Sequence, residues 1–325
     1  MAQSISDAND LAGQGAVARL CQQLEFFSAH PPLQIRPLAA GQSNLNYYLQ
    51  TTRGEYVLRC YGTSAPGACR QQEFRCQQAA AAAGIAPVPL LLNNHQQLLI
   101  SEYISAGQPL PLTADTLPQL AKILARLHSL RVQTPALSLT AYLRQLLAQT
   151  EQQTLQPAAT LFAGLLQAAA QFEQYQPDLV LCHLDLHQDN LLLAAGRIWL
   201  LDFEYAQLAD CSFDLAALSL HYQFSKRQQA EFLVHYQQYR CYADPQTARA
   251  HAASLTARLA LAKILYSGFC WLWYLAAPGC RQQAQHWQQP DGGQRRTDQR
   301  ESTQRIVGRI GAAHRHQLAH DELRD

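Results

Sequence analysis

The sequence predicts an α+β protein with two lobes, a small β-rich amino-terminal lobe followed by a large, mostly helical carboxy-terminal lobe. Residues 33–104 form short segments in which apolar and polar side chains alternate, as expected of half-buried strands. After Gly107 and Pro109 the apolar residues recur at helical spacing instead. The chain has 325 residues, of which 48% are hydrophobic, so it has enough apolar material for a packed core.

The amino-terminal lobe is predicted to span residues 1–102 and to contain a small sheet with one inserted helix. Its clearest feature is a β-hairpin, because residues 46–51 and 55–60 are strand-like and flank the turn residues Arg53 and Gly54. The other predicted elements are a helix at 14–28, a helix at 69–83, and strands at 88–92 and 98–103.

The carboxy-terminal lobe is predicted to span residues 103–284. Leucine and isoleucine recur at helical spacing in 117–127, which indicates a helix. A β-rich segment at 179–203 interrupts the helices, and they resume from 213 to about 277. The remaining residues, 285–325, are rich in glutamine, arginine and histidine and are predicted to form a polar surface helix with a loose tail.

Charge and cysteine content favour a cytoplasmic protein and argue against a nucleic-acid partner. The net charge is +1 and the pI is about 7.6, so no global field favours nucleic acid or an anionic membrane as a partner. The nine cysteines are an odd number and form no Cys-x-x-Cys pair, which is typical of reduced thiols. Residues 1–10 show neither the basic nor the apolar region of a secretion signal.

One apolar stretch, 259–277, is long enough to suggest a membrane span. Lys263 lies inside it, and a lysine is costly in lipid. We therefore expect a buried helix and no membrane partner. A membrane-docked protein is the alternative.

The strongest functional signal is the sequence His-Leu-Asp-Leu-His-Gln-Asp-Asn at 183–190, followed by Asp202. Apolar runs flank it on both sides, and carboxylates next to buried strands are expensive unless they have a use. Phosphoryl transfer needs an aspartate at the acceptor hydroxyl and oxygen ligands for magnesium. We assign Asp185 to the hydroxyl, and Asn190 and Asp202 to Mg²⁺. The alternative is a set of polar residues that cap and turn an exposed loop.

The two histidines of this motif are candidates for supporting the loop. His183 and His187 are four residues apart and could suggest zinc, but only a helix would align them at that spacing. The segment is predicted to be a loop, so we expect His183 and His187 to stabilise its shape by hydrogen bonding.

The motif at 183–190 with Asp202-Phe203-Glu204 resembles the aminoglycoside-phosphotransferase and choline-kinase family, whose bilobal fold is similar to that of protein kinases. Leu184 stands where protein kinases have the arginine of His-Arg-Asp, and no Ala-Pro-Glu element follows Asp202. A protein substrate is therefore not expected. The resemblance implies ATP and Mg²⁺ as cofactors and a small-molecule hydroxyl as acceptor.

The resemblance also implies a set of nucleotide-binding residues in the first lobe. Residues 41–44 occupy the place of the phosphate-covering loop, although such residues also form ordinary hairpin turns. Arg59 falls where protein kinases have the phosphate-binding lysine, and this departure resembles choline kinases, which also have arginine there. Glu73 would pair with Arg59 unless it faces solvent. Residues 101–104 resemble the hinge that contacts adenine through its backbone. The predicted nucleotide-binding residues are Gly41, Ser43, Asn44, Arg59, Glu73, Glu102 and Tyr103.

The residues after Asp202 resemble the choline-kinase and bacterial thiamine-kinase branch, which implies a cationic amino alcohol as acceptor. Aromatic faces and a carboxylate hold such cations. Trp271 and Tyr274 are three residues apart on a predicted helix and could form an aromatic wall, with Tyr222 and Tyr266 as further candidates. Core packing is the alternative for each aromatic. The predicted acceptor-binding residues are Glu204, Tyr205, Asp214, Trp271 and Tyr274.

Two other functions compete with this interpretation. An aminoglycoside or other sugar-like acceptor would call for an acidic pocket, but residues 225–284 contain few carboxylates, chiefly Glu231 and Asp244. A catalytically inactive kinase-like binding module would need no phosphate-transfer residues, yet all three are present. Choline and thiamine, and ATP and GTP, are equally compatible with these motifs, and no motif specifies an oligomeric state.

Overall fold

A computed structural model describes residues 14–38, 44–62, 69–148 and 152–276. The chain divides into two compact units, one formed by 1–133 with 188–206 and the other by 134–187 with 207–325. The lobe boundary predicted at residue 102 falls inside the first unit. The boundary at 284 and the polar tail at 285–325 lie outside the described residues.

The first unit contains a five-stranded antiparallel sheet in the order β1-β2-β3-β5-β4. The hairpin predicted from the sequence joins β2 and β3, with Asn46 opposite Arg59. Side chains from the sheet and from the first helix, such as Val17, Leu49 and Leu58, form its core. The strands are β1 (Gln34–Pro37), β2 (Asn44–Gln50), β3 (Glu55–Tyr61), β4 (Pro89–Asn93) and β5 (Leu98–Glu102).

Three helices and a smaller sheet complete the described part of the first unit. The helix predicted at 14–28 ends at Gln23, because Leu24 is extended, and the chain continues as a 3₁₀ turn, Glu25–Phe27. The small sheet has the order β6-β8-β9. The elements are α1 (Gln14–Gln23), α2 (Arg70–Ala82), β6 (Gln108–Pro109), α3 (Thr116–Leu127), β8 (Leu191–Ala194) and β9 (Arg197–Leu200).

The second unit is mostly helical and contains one antiparallel ribbon, β7 paired with β10. Its long last helix packs against three other helices of the unit, α4, α5 and α6. The elements are α4 (Leu139–Ala148), α5 (Gln152–Phe172), β7 (Leu179–Cys182), β10 (Gln207–Asp210), α6 (Ser212–His221), α7 (Lys226–Tyr239) and α8 (Pro245–Ala276).

Helix α8 is, among the described residues, the one helix long and apolar enough by length and composition to cross a membrane. A core helix passes the same test, and 56% of the most apolar window of α8 is buried inside the structure. It also carries the fully buried Arg258, paired with Asp210, and Lys263, which donates to Gln229. These contacts are those of a core helix of the second unit.

Candidate active site

The predicted nucleotide side of the site centres on Arg59, which lies on β3 in the first unit. Its Nη1 lies 2.9 Å from Glu73 Oε1 and 2.6 Å from Asp202 Oδ1. Its Nε donates to Asn46 Oδ1 at 3.2 Å. One guanidinium therefore joins the sheet, helix α2 and the segment after β9, and only the Glu73 contact was expected from the sequence.

Helix α2 holds the segment that carries Asp202. Gln72 Nε2 donates to the carbonyl of Ala206 at 2.8 Å, from the residue next to Glu73. The turn after α2 is bonded to the small sheet, since the N–H of Leu200 donates to the carbonyl of Ile85 at 2.8 Å. These contacts place Asp202 near Glu73, although 129 residues separate them in the chain (202 − 73).

Electrostatics keep Arg59 charged. Burial alone would lower the pKa of Arg59, but the carboxylates of Asp202, Glu73 and Glu204 raise it. Tyr61 adds a hydrogen bond to Glu73 Oε2 at 2.9 Å, which fixes that carboxylate toward β3. The cluster is thus a fixed positive charge held by carboxylates, and such an arrangement can bind phosphate oxygens.

Asp202 and Asn190 are the candidate magnesium ligands. The carbonyl of Asn190 accepts the N–H of Leu201 at 3.0 Å, so the β8–β9 hairpin brings both residues to one end of the small sheet. Asp202 has a φ of 65°, a conformation that is costly for a non-glycine residue and is concentrated at functional sites. A carboxylate and an amide oxygen are hard donors that fit Mg²⁺.

Asn44 and Glu204 are in contact in the first unit. Asn44 Nδ2 donates to Glu204 Oε2 at 3.3 Å, and Asn44 Oδ1 accepts the N–H of Gly62 at 3.4 Å. Glu204, which the sequence predicted to bind the acceptor, accepts this hydrogen bond from the predicted nucleotide-binding residue Asn44. Gly41 and Ser43 lie outside the described residues.

The hinge predicted at 101–104 is fastened to the sheet. The N–H of Tyr103 donates to the carbonyl of Glu55 at 3.1 Å, and the N–H of Glu102 donates to the carbonyl of Val88 at 2.9 Å. The Glu55 carboxylate also accepts from the hydroxyls of Tyr48 and Ser105. The backbone N–H groups of Glu102 and Tyr103 are therefore engaged within the first unit.

The second unit carries Asp185 on a loop that Asp214 holds in place. The two carboxylate oxygens of Asp214 accept the N–H groups of His183 and Leu184, each at 2.8 Å. Leu184 has a φ of 65°, and this pair of hydrogen bonds stabilises that conformation. Asp214 was predicted to supply charge to the acceptor, but both of its carboxylate oxygens accept backbone N–H groups of this loop.

Asp185 is partly buried, with its Oδ2 3.5 Å from Nε2 of His187. Burial would raise the pKa of Asp185, but the hydrogen bond and charge of His187, with the charges of His183 and His221, hold it below its ordinary value. Asp185 is therefore ionised at neutral pH and can accept a proton. Residues 183–187 are not helical, so the alignment that a zinc pair would need is not formed.

The aromatic residues predicted to bind the acceptor do not all belong to the same unit. Trp271 is half-buried on α8, whereas the side chain of Tyr274 lies outside the description. Tyr205 belongs to the first unit. Tyr266 is buried on α8, and its hydroxyl lies 3.3 Å from Nε2 of His221. Sequence reasoning missed His221, although it lies seven residues after Asp214 and therefore near the same face of α6.

Arg59 on an antiparallel sheet pairs with Glu73 on helix α2, and a mostly helical unit carries Asp185 on a loop. These features are those of a kinase-like phosphotransferase. The model of the phosphotransferase enzyme family (APH) matches residues 34–251, and the chain belongs to this family. The α+β fold and the family expected from the sequence are thereby confirmed.

Three individual proteins are similar to this chain in fold or in sequence. Choline kinase LicA from Streptococcus pneumoniae has a similar fold, with a TM-score of 0.71 and 21% identity over 91% of this chain and 99% of that one. Spectinomycin phosphotransferase in complex with ADP and spectinomycin gives a TM-score of 0.56 at 15% identity, over 90% and 97% of the two chains. LicA of Haemophilus influenzae is 39% identical over 66 residues, which are 20% of this chain and 19% of that protein.

Proposed function

We propose that this chain is a cytoplasmic kinase that transfers the γ-phosphate of ATP to the hydroxyl of a small cationic amino alcohol such as choline or thiamine. The observation that carries the proposal is the contact of Arg59 with Glu73 and Asp202, at 2.9 and 2.6 Å. In kinase-fold phosphotransferases the basic residue on the third strand binds nucleotide phosphates, and a helix glutamate orients it. The chain's family membership, and the neighbours of this fold that were solved with AMP and with ADP, support ATP as the donor.

The residues of the first unit would bind the nucleotide. Arg59 would contact the phosphates bidentately, with Glu73 and Asn46 holding the guanidinium in orientation. Asp202 and Asn190 would hold Mg²⁺, which supplies neutralisation of charge on the phosphates. Adenine would hydrogen-bond the backbone beyond Glu102 and Tyr103. Asn44 would place the loop that includes Gly41 and Ser43.

Asp185 would receive the acceptor. Its carboxylate would accept the proton of the hydroxyl while the acceptor oxygen forms a bond to the γ-phosphorus and the bond to the β,γ-bridging oxygen breaks, which releases ADP. The lowered pKa of Asp185 keeps it ionised for this step. His183 and Asp214 would maintain the shape of the loop.

A cationic amino alcohol is supported by the choline kinase whose fold this chain shares and by the few carboxylates of 225–284. Trp271 would offer an aromatic face to the cation, with Tyr274 and Tyr205 as further candidates. Glu204, bonded to Asn44, would act from the nucleotide side.

The proposal is tested by measuring ADP release with ATP and Mg²⁺ against choline, ethanolamine, thiamine and spectinomycin. We expect turnover of one of the first three, lost in Asp185→Asn and retained in Asp115→Asn, an exposed aspartate of the first unit. Turnover of spectinomycin alone would replace the amino alcohol by a sugar-like acceptor. Tight ATP binding without turnover of any acceptor would favour a kinase-like binding module.

A further inference from the structure

Asp185 lies beside a cluster of titratable side chains, and three of them, His221, Tyr266 and Cys270, have no part in the reaction as described. The cluster belongs to three parts of the second unit: the loop at 183–187, helix α6 and helix α8. The charges of His183, His187 and His221 act on Asp185. The charge of Asp185 acts in turn on Tyr266 and Cys270, and the charge of Asp214 also acts on Tyr266.

Three contacts connect Asp185 to α8 through two histidines. The first is the 3.5 Å approach of His187 Nε2 to Asp185 Oδ2. The second is the packing of the His187 and His221 rings, with centroids 5.8 Å apart and a tilt of 53°. The third is the 3.3 Å contact between Nε2 of His221 and the Tyr266 hydroxyl, whose ring meets His221 edge-on.

The far end of this series is buried. Tyr266 is 5% exposed and lies on the core helix α8, which packs against α6. Asp185 and His187, by contrast, are 27% and 29% exposed in their side chains. The His221 ring packs against the partly exposed imidazole of His187 and is bonded to the buried hydroxyl of Tyr266. It therefore restricts the orientations that the His187 imidazole can take.

We propose that His221 is a positioning residue: it fixes the imidazole of His187 against the Asp185 carboxylate, and Tyr266 anchors it from α8. This inference rests on the proposed function for its kinetic consequence, because a general base must be held within hydrogen-bonding reach of the acceptor hydroxyl. The positive charge of a protonated histidine near Asp185 also favours its carboxylate form.

The test uses His221→Gln, which can still bond Tyr266 but has no imidazole ring to pack on His187. We expect kcat to fall about tenfold, since small misplacements of catalytic groups cost up to a hundredfold, while KM for ATP stays within twofold. The acid limb of the kcat–pH profile should move to higher pH by about half a unit, because Asp185 loses a favourable neighbour. Tyr266→Phe should lower kcat and move the acid limb of the profile to higher pH as well, but by less than His221→Gln.

The matched control is His235→Gln on α7, the same chemical change at a histidine outside the cluster defined above. Unfolding in urea is measured for each variant so that loss of structure is recognised. An unchanged kcat and pH profile in folded His221→Gln would overturn the inference.

A second readout separates this inference from the proposed function. Aspartate labelled with carboxyl ¹³C is followed by NMR from pH 2 to 7, and the Asp185 signal is identified by its loss in Asp185→Asn. We expect its titration midpoint to be higher in His221→Gln than in wild type and unchanged in His235→Gln. If no acceptor is turned over, the proposed function fails, and this midpoint still decides whether His221 acts on Asp185; equal midpoints would refute it.

Discussion

At the scale of single residues, the candidate site depends on side chains that each serve two or more partners. Arg59 contacts Glu73, Asp202 and Asn46, and Asp214 holds two consecutive backbone N–H groups. A substitution that keeps the charge but changes the geometry therefore tests the arrangement more sharply than removal of the side chain.

Arg59→Lys should raise KM for ATP tenfold or more. Nη1 of Arg59 contacts both carboxylates while Nε donates to Asn46, and a lysine ammonium, which is a single point charge, cannot keep both sets of contacts and also bind phosphate bidentately. The loss of one charge-assisted hydrogen bond, about 1.5–3 kcal/mol, corresponds to at least a tenfold change. Initial rates at varied ATP measure it, and Arg126→Lys on the exposed face of α3 is the control. Equal KM values in both variants would rule out phosphate contact by Arg59.

Asp214→Asn should lower kcat and leave KM for ATP unchanged. The amide keeps one oxygen acceptor and turns an NH₂ donor toward a backbone N–H, so one of the two loop hydrogen bonds is lost. We expect the free energy of unfolding to fall by about 1–3 kcal/mol, the cost of an unsatisfied buried group. Urea unfolding and kcat are measured together, and a normal kcat would show that the loop does not depend on Asp214.

At the scale of elements, local sequence signals predicted individual helices and strands well, but they did not predict contacts between residues far apart in the chain. The hairpin at β2–β3 and the helix α2 followed from turn residues and from glycine at 84, because these are local signals. The contact of Arg59 with Asp202 joins residues 143 apart, and no periodicity in the sequence indicates it. His221 was missed because its partners come from the loop and from α8.

Helix α7 begins with a capping box in which Ser225 and Gln228 satisfy each other's backbone N–H groups, at 3.2 and 3.0 Å. Ser225→Ala should lower the free energy of unfolding by about 1 kcal/mol and leave kcat unchanged. Gln228→Ala is the matched partner, and the double variant should cost less than the sum of the two because the bonds are reciprocal. If the losses in unfolding free energy of the two single variants, measured in urea, added up to that of the double variant, the reciprocal bonding of the capping box would be contradicted.

Gly268 allows helices α5 and α8 to approach closely. A Cβ at this position would lie 2.4 Å from Cδ2 of Leu165, so Gly268→Ala should destabilise the protein by about 1–3 kcal/mol although alanine is the better helix former. In a Leu165→Ala background the same change should cost less or stabilise, because the clash is removed. Thermal unfolding of the four proteins decides it, and an equal cost in both backgrounds would place the strain elsewhere.

At the scale of the whole molecule, the chain order does not follow the compact units. The motif at 183–190 contributes Asp185 to the second unit and Asn190 to the first. The sequence of the motif indicated its chemistry. The pattern of apolar strands around a polar loop does not show, however, that the chain passes from one unit to the other within the motif. The second unit additionally contains a buried ionic network that the sequence did not reveal.

This network joins the start of β7, the end of β10 and helices α7 and α8. Arg240 contacts both carboxylate oxygens of Asp178, at 2.9 and 3.1 Å, and Arg258 pairs with Asp210 in the fully buried core. Asp210 in turn accepts the N–H groups of Asp178 and Ser212. Removal of one charge from such a pair leaves the other buried without compensation, which costs about 3–5 kcal/mol.

The network makes stability depend on pH in a defined direction. Burial would raise the pKa of Asp178, but the charge and hydrogen bond of Arg240, the Tyr242 hydroxyl and the charge of His251 hold it below its ordinary value. A carboxyl whose folded pKa is lowered contributes stability above its unfolded pKa of about 3.9, and this contribution is lost as the pH falls through the folded pKa. Asp178→Asn should therefore be less stable than wild type at pH 7, and the difference should shrink below pH 4. Urea unfolding from pH 7 to 2 measures it, with Arg240→Gln expected to give the same convergence because it removes the group that lowers the pKa. A difference that stays constant down to pH 2 would mean that Asp178 contributes by packing and not by its charge.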